Sequence, residues 1–169
     1  DNVLPHEKRI GDKALTKYFP QPVHAFIAMS REVLNDLRRF TAKKAAFIPH
    51  PVYDNFGEPV DKIAARQHIG LEPDKRYVLF FGFIRAYKAL DLVLEAFSDE
   101  ASRRSDMRLI IAGEFYENRQ PYDELIDKYQ LQSSLVLRTD FIPNEEVRYY
   151  FSAADIVVQP YRSATQSGI

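Results

Sequence analysis

The stretch 77–97, YVLFFGFIRAYKALDLVLEAF, constrains the fold of this chain more than any other. Its first five residues are apolar with no polar alternation, the pattern of a strand buried on both faces of a parallel sheet. Gly82 follows, then a short loop carrying Arg85 and Lys88. Leu90, Val93, Leu94 and Phe97 then fall at i, i+3, i+4 and i+7, one apolar helical stripe suited to packing on that sheet. A loop so placed leaves the carboxyl end of its strand, the edge at which open α/β sheets bind ligands. The N–H groups opening the next helix attract anions there. Arg85 and Lys88 beside that edge point to an anionic ligand, most simply a phosphate ester held by charge-assisted hydrogen bonds. The competing reading of the same two residues is a pair of solvated surface cations.

The pattern recurs downstream. Residues 108–112 read as a second strand ending in Gly113 and Glu114, and after the loop EFYENRQ, Pro121 opens a helix with Tyr122, Leu125, Ile126 and Tyr129 on one face. Residues 135–137 give a third strand, followed by Asp140, Phe141, Ile142 and Pro143. Asn144 is expected to cap the next helix, with Val147, Tyr150, Phe151 and Ala154 inward, and residues 156–158 form a fourth strand. Four strands alternating with three helices call for right-handed crossovers: an α/β, Rossmann-like parallel sheet with helices on both faces. Upstream, 25–29 and 45–48 read as short strands flanking a helix capped by Ser30. The run PHPVYDNFGEP, with three prolines, a glycine and an Asp-Asn pair, is the best linker in the chain. It divides a segment 1–49 from a domain 60–169, with the linker at 50–59. A helix over 60–69 then ends at Gly70, the favoured residue just past a helix end.

Several chemistries are excluded or disfavoured. The 169 residues contain no cysteine, so neither disulfides nor thiolate metal sites are available, and the four histidines lack ligand spacing. There is no GxGxxG, no GxxxxGK[ST] and no Asp-x-Asp pair for a metal-bridged diphosphate. Glu114 and Asp140 follow their strands and could reach a ligand or serve as turn carboxylates, whereas Asp155 precedes its strand and belongs to the opposite edge. Residues 1–50 hold nine Lys/Arg against five Asp/Glu, interleaved with aromatics. That fits either solvated helix faces or a peripheral membrane or nucleic-acid surface. With no long apolar run and a polar start, the expected compartment is the cytoplasm, including the inner membrane face. The start without Met and the stop inside a loop suggest part of a longer protein, inactive by itself and prone to self-association through uncovered sheet.

FIAMS with its helix, AFIPHPVYDNF, VLFFGFIRAYKALDLVLEAF, LIIAGEF, LVLRTDFIPNEEVRYYFSAADIVVQPY and SATQSGI together resemble, in order, the glycosyltransferases of family four. Those enzymes have the GT-B architecture of two Rossmann-like domains, so the resemblance implies the end of the first domain, the linker and the first part of the nucleotide-sugar domain. It implies a retaining transferase that needs no metal or other cofactor. The donor would be a nucleotide sugar, UDP- or GDP-linked, and the acceptor a glycan or lipid-linked group, with no nucleic acid partner. Lys88, six residues after Gly82, matches the lysine that contacts the donor diphosphate. The family's usual arginine directly after that glycine is Phe83 here, with Arg85 in a shifted position to supply the charge. Gly113, Glu114, Asp140, Phe141 and Ile142 would line the nucleoside pocket. Where the family has Glu-Gly-Phe-Gly, this chain has Thr165, Gln166, Ser167 and Gly168, so the first acid of the Glu-x7-Glu pair is absent. A nucleotide-sugar epimerase of the same architecture, and a non-catalytic Rossmann-like module, are the alternatives.

Overall fold

The computed structural model describes Val3, residues 11–99 and residues 106–162. Among these the chain divides into two compact units, one ending at Tyr53 and one running over residues 54–162. The division falls inside the proline-rich stretch.

The first unit comprises α1 (Asp12–Tyr18), β1 (Ala25–Ala28), α2 (Arg31–Arg38) and β2 (Lys44–Phe47). β1 and β2 pair in parallel, Ala25 opposite Lys44 through Ala28 opposite Phe47. The Ser30 hydroxyl accepts from the Val33 N–H at 3.1 Å, capping α2 as the sequence indicates, and Val33 and Leu37 are buried beneath it. Two of the surplus cations here are structural. Lys43 donates its ammonium to the carbonyls of Pro20, Gln21 and Val23, and Arg38 donates to the Lys43 carbonyl at 2.7 Å.

The second unit contains α3 (Lys62–His68), β3 (Arg76–Phe81), a 3-10 turn (Ala86–Lys88), α4 (Leu90–Phe97), β4 (Met107–Ala112), α5 (Gln120–Lys128), β5 (Leu135–Arg138), α6 (Asn144–Ala153) and β6 (Ile156–Val157). The sheet order is β5-β4-β3-β6, and every pairing is parallel. Alternation along β3 assigns the faces. Val78 and Phe80 pack with Leu90, Val93, Leu94 and Phe97 of α4 and with Tyr122 and Ile126 of α5. Tyr77 and Leu79 point the other way, against Ala65 of α3 and Tyr150 and Ala153 of α6. The sheet is therefore covered on both sides, which is why its central strands need no polar positions. Each such large side chain, once fully buried, contributes on the order of 1.5–3 kcal/mol.

Two helix starts differ from expectation. α3 begins at Lys62 because the Asp61 carboxylate accepts from the N–H groups of both Ile63 and Ala64 at 3.0 Å, ending the extended chain there. Asn144 does not cap α6: Pro143 occupies the cap position and Asn144 is the first helical residue, with no side-chain cap.

At the amino edge of the sheet, Asp155 just before β6 receives Lys62 Nζ and Arg66 Nη2 at 2.7 Å each and the Tyr77 N–H at 2.8 Å. Burial alone would raise its pKa. The Lys62 hydrogen bond, the Tyr77 N–H and the Arg66 charge outweigh that and hold it below the usual carboxylate range. Its position on the edge opposite the candidate ligand site agrees with the sequence reading, and its role is to join α3, β3 and β6.

Candidate functional site

Past their strands, β3 and β4 continue to pair through their carboxyl-end loops. The Gly82 N–H donates to the Ala112 carbonyl (2.9 Å) and the Ile84 N–H to the Glu114 carbonyl (2.8 Å), while the Gly113 N–H turns to β5 and donates to the Arg138 carbonyl (2.9 Å). Gly82 (φ 97°) and Gly113 (φ 133°) both lie in the left-handed half of backbone space. A Cβ on Gly113 would stand 2.4 Å from the Gly82 carbonyl oxygen, so the two peptide chains touch with no room for a side chain. This backbone contact forms the floor of the carboxyl edge.

Arg85 and Lys88 occupy the next turn. The Arg85 guanidinium lies 5.0 Å from the centre of the Tyr116 ring, which packs at 4.4 Å on Phe83. Phe83 and Tyr116 are both exposed. Lys88 is buried, only 8% exposed, and its Nζ sits 5.7 Å from the Tyr161 ring centre. Tyr161 follows β6, so the ammonium lies on the carboxyl side of the sheet with that loop. Among the described residues no carboxylate or hydrogen-bond acceptor is paired with it. Burial, and then the neighbouring Arg85 charge, push the Lys88 pKa below the ordinary lysine value. An anion delivered to this edge would offset both effects.

The remaining candidates are more dispersed. Glu114 is half-buried and Asp140 exposed, and among the described residues neither carboxylate forms an ion pair or caps a turn. Phe141 is exposed, whereas Ile142 packs against the core cluster around Leu79 and Tyr150. Thr165, Ser167 and Gly168 lie outside the described residues. The start of α4 is a correction. The sequence suggests open N–H groups for a bound anion, but the first turn already carries the Asp91 carboxylate. Its pKa is lowered foremost by a hydrogen bond from Arg162 and in part by N–H groups of its own turn.

Two residues that pattern reading missed hold this turn. The Glu117 carboxylate accepts from the Ala86 N–H at 2.9 Å and from the Tyr122 hydroxyl, and burial together with Glu117 raises the Tyr122 pKa. Arg162 donates its guanidinium to both Asp91 oxygens and to the Ala86 carbonyl, and its backbone N–H to the Tyr87 carbonyl. The sequence placed them only coarsely and gave no sign of their partners. Each follows a predicted strand, at the same edge as Lys88.

A parallel sheet covered on both faces, with its loops gathered at the carboxyl edge, defines a Rossmann-like α/β domain. The family model for glycosyl transferases group 1 matches residues 61–168, and the chain belongs to that family. It is 31% identical over 117 residues to a D-inositol 3-phosphate glycosyltransferase of Mycobacterium bovis, covering 67% of this chain and 24% of the relative. The chain thus spans about a quarter of that relative's length. Among solved structures, sucrose-phosphate synthase from Thermosynechococcus elongatus superposes with a TM-score of 0.77 at 19% identity, covering 95% of this chain and 41% of that one. Anabaena Alr3699/HepE, solved in complex with UDP and glucose, gives a TM-score of 0.78 at 15% identity, covering 98% and 46%. These glycosyltransferase neighbours share the GT-B fold, which agrees with the fold class read from the sequence.

Proposed function

We propose that this chain carries the diphosphate-binding part of a retaining, metal-independent glycosyltransferase of family four, one that moves a sugar from a nucleotide diphosphate to a glycan or lipid-linked acceptor. The observation that supports this best is the buried Lys88 ammonium at the carboxyl edge, lacking an acidic partner among the described residues. A buried cation without a counterion is unfavourable, and a bound diphosphate would supply that counterion. The Anabaena relative's complex with UDP and glucose makes UDP the first donor nucleotide to try.

As the glycosidic bond to the diphosphate breaks, negative charge grows on the leaving oxygens. A cation already in place stabilises that charge more in the transition state than in the ground state. Arg85, set against Tyr116, supplies a second positive charge to the same edge. Loss of one such donor costs about 3–4 kcal/mol of barrier in comparable sites. A cytoplasmic location, at or near the inner membrane face, and no activity from this chain alone complete the reading.

Calorimetry with UDP, GDP and ADP on the chain and on Lys88→Met tests it. Micromolar binding of one nucleotide, lost in the variant, is the expected result. Binding should also weaken as pH rises through the lowered Lys88 pKa, before ordinary lysines lose their protons. Full affinity in Lys88→Met would remove the lysine from the site. No affinity for any of the three would favour a Rossmann-like module without a nucleotide.

A further inference from the structure

The turn that presents Lys88 has little to hold it in place by itself. It is a single 3-10 turn, a form with poor internal hydrogen-bond geometry, closed by Lys88 N–H to Arg85 (2.9 Å) and Ala89 N–H to Ala86 (3.1 Å). Ala89, completely buried, then adopts a left-handed conformation (φ 57°) that only glycine takes without strain. The contacts that fix the turn come from outside it. Glu117 in the loop after β4 takes the Ala86 N–H. Arg162 in the loop after β6 takes the Ala86 carbonyl at 3.2 Å through Nη1 and the Tyr87 carbonyl at 2.8 Å through its own N–H. The same guanidinium grips Asp91 on the far side of Ala89, at 2.9 Å to Oδ1.

We propose that Arg162 is a positioning residue for Lys88: by bridging the 3-10 turn and the first turn of α4, it holds the strained Ala89 link and keeps the lysine aimed at the carboxyl edge. Its importance for sugar transfer rests on the diphosphate-binding reading of Lys88. The bridge also sets Tyr161, its neighbour, over the ammonium and edge-on to Tyr87 at 6.0 Å. The loop after β6 is thereby coupled to the lysine it faces. Lysine at position 162 would keep the charge but not the planar fork that serves Asp91 and Ala86 together.

The test observes Lys88 directly, without ligand. The whole chain is labelled with ¹³Cε-lysine, and the Lys88 signal is assigned by its absence from Lys88→Met. In the parent it should titrate below the ordinary lysine value, with Arg85 and Tyr161 the groups facing it. In Arg162→Ala and Arg162→Lys, with folding checked by circular dichroism, the signal should shift and titrate closer to the ordinary lysine value. Should Arg162→Ala fail to fold, Asp91→Asn leaves both carbonyl contacts of Arg162 in place and should move the signal the same way by less. An unchanged Lys88 signal in a folded Arg162 variant, even one with a lower melting temperature, would overturn the proposal and leave a merely structural ion pair. UDP affinity should fall about tenfold in Arg162→Ala, the scale of one charge-assisted contact. UDP binding unaffected by Lys88→Met would sink the functional reading instead, and the carbon signal would still decide the positioning role.

Discussion

Replacing Asp155 by alanine removes three hydrogen bonds that join three elements, and their separate environments allow the loss to be worked out. The Lys62 arm is half exposed, so its share is about 0.2–1 kcal/mol after solvent screening. The Tyr77 N–H sits at the head of the central strand, and leaving such a donor unsatisfied costs about 1–3 kcal/mol. The Arg66 arm is the strongest, because that side chain is only 7% exposed; a bond to a charged group there is worth about 1.5–3 kcal/mol. Arg66 is not stranded by the change, since it still donates to the carbonyls of Ala153 and Pro73. Allowing for that, and for the 28% exposure of Asp155 itself, the expected loss is about 3 kcal/mol, the low end for breaking a buried ion pair. Asp155→Asn keeps an acceptor for Tyr77 and should lose roughly half as much. With no tryptophan in the chain, urea unfolding followed by circular dichroism is the suitable assay. The pH dependence has a definite sign. The folded pKa of Asp155 is depressed, so its contribution is present above the unfolded value of about 3.9 and disappears as pH falls through the folded value. The acid slope should therefore be shallower in Asp155→Asn. A loss below about 0.5 kcal/mol in Asp155→Ala would refute this accounting, because it would place the pair among surface ion pairs of negligible worth.

Other substitutions test the carboxyl edge. Gly113→Ala puts a methyl against the Gly82 carbonyl and should cost about 2 kcal/mol or more, with nucleotide affinity lost alongside. An unchanged melting temperature would show that the two loops part freely. Ala89→Gly relieves the left-handed alanine and should stabilise the fold by about 0.5–1 kcal/mol in urea, the strain relieved less the added freedom of the unfolded chain. A destabilised variant would mean that the alanine methyl's packing outweighs its strain.

Much of the fold was legible because it is written in local periodicity. The stripe Leu90, Val93, Leu94, Phe97 marked α4, and the unbroken apolar run before Gly82 marked a strand covered on both sides. The place of Asp155 followed from its position before a strand rather than after it. The candidate site was legible only in part. Lys88 and Gly82 could be found from strand-end position and from family resemblance. Glu117 and Arg162 could not, because their partners lie 31 and 71 residues away and no local spacing encodes such pairings. The open helix start was misjudged for the same reason: a carboxylate in a first turn is ordinary chemistry until a distant arginine is seen to fix it. Asn144 failed as a cap because Pro143, already extended, took the boundary position.

The contact between Gly82 and Gly113 bears on how this protein can change over time. Where two main chains abut, mutation has no side chain to edit, and each peptide group offers the same dipole whatever its neighbours become. Diversification is thus channelled to the rim, to residues such as Phe83, Tyr116 and Phe141, whose exposed rings can be exchanged without shifting the surface beneath. If the proposed nucleotide site is right, a laboratory search for altered ligand preference would randomise those three positions and leave the glycines untouched.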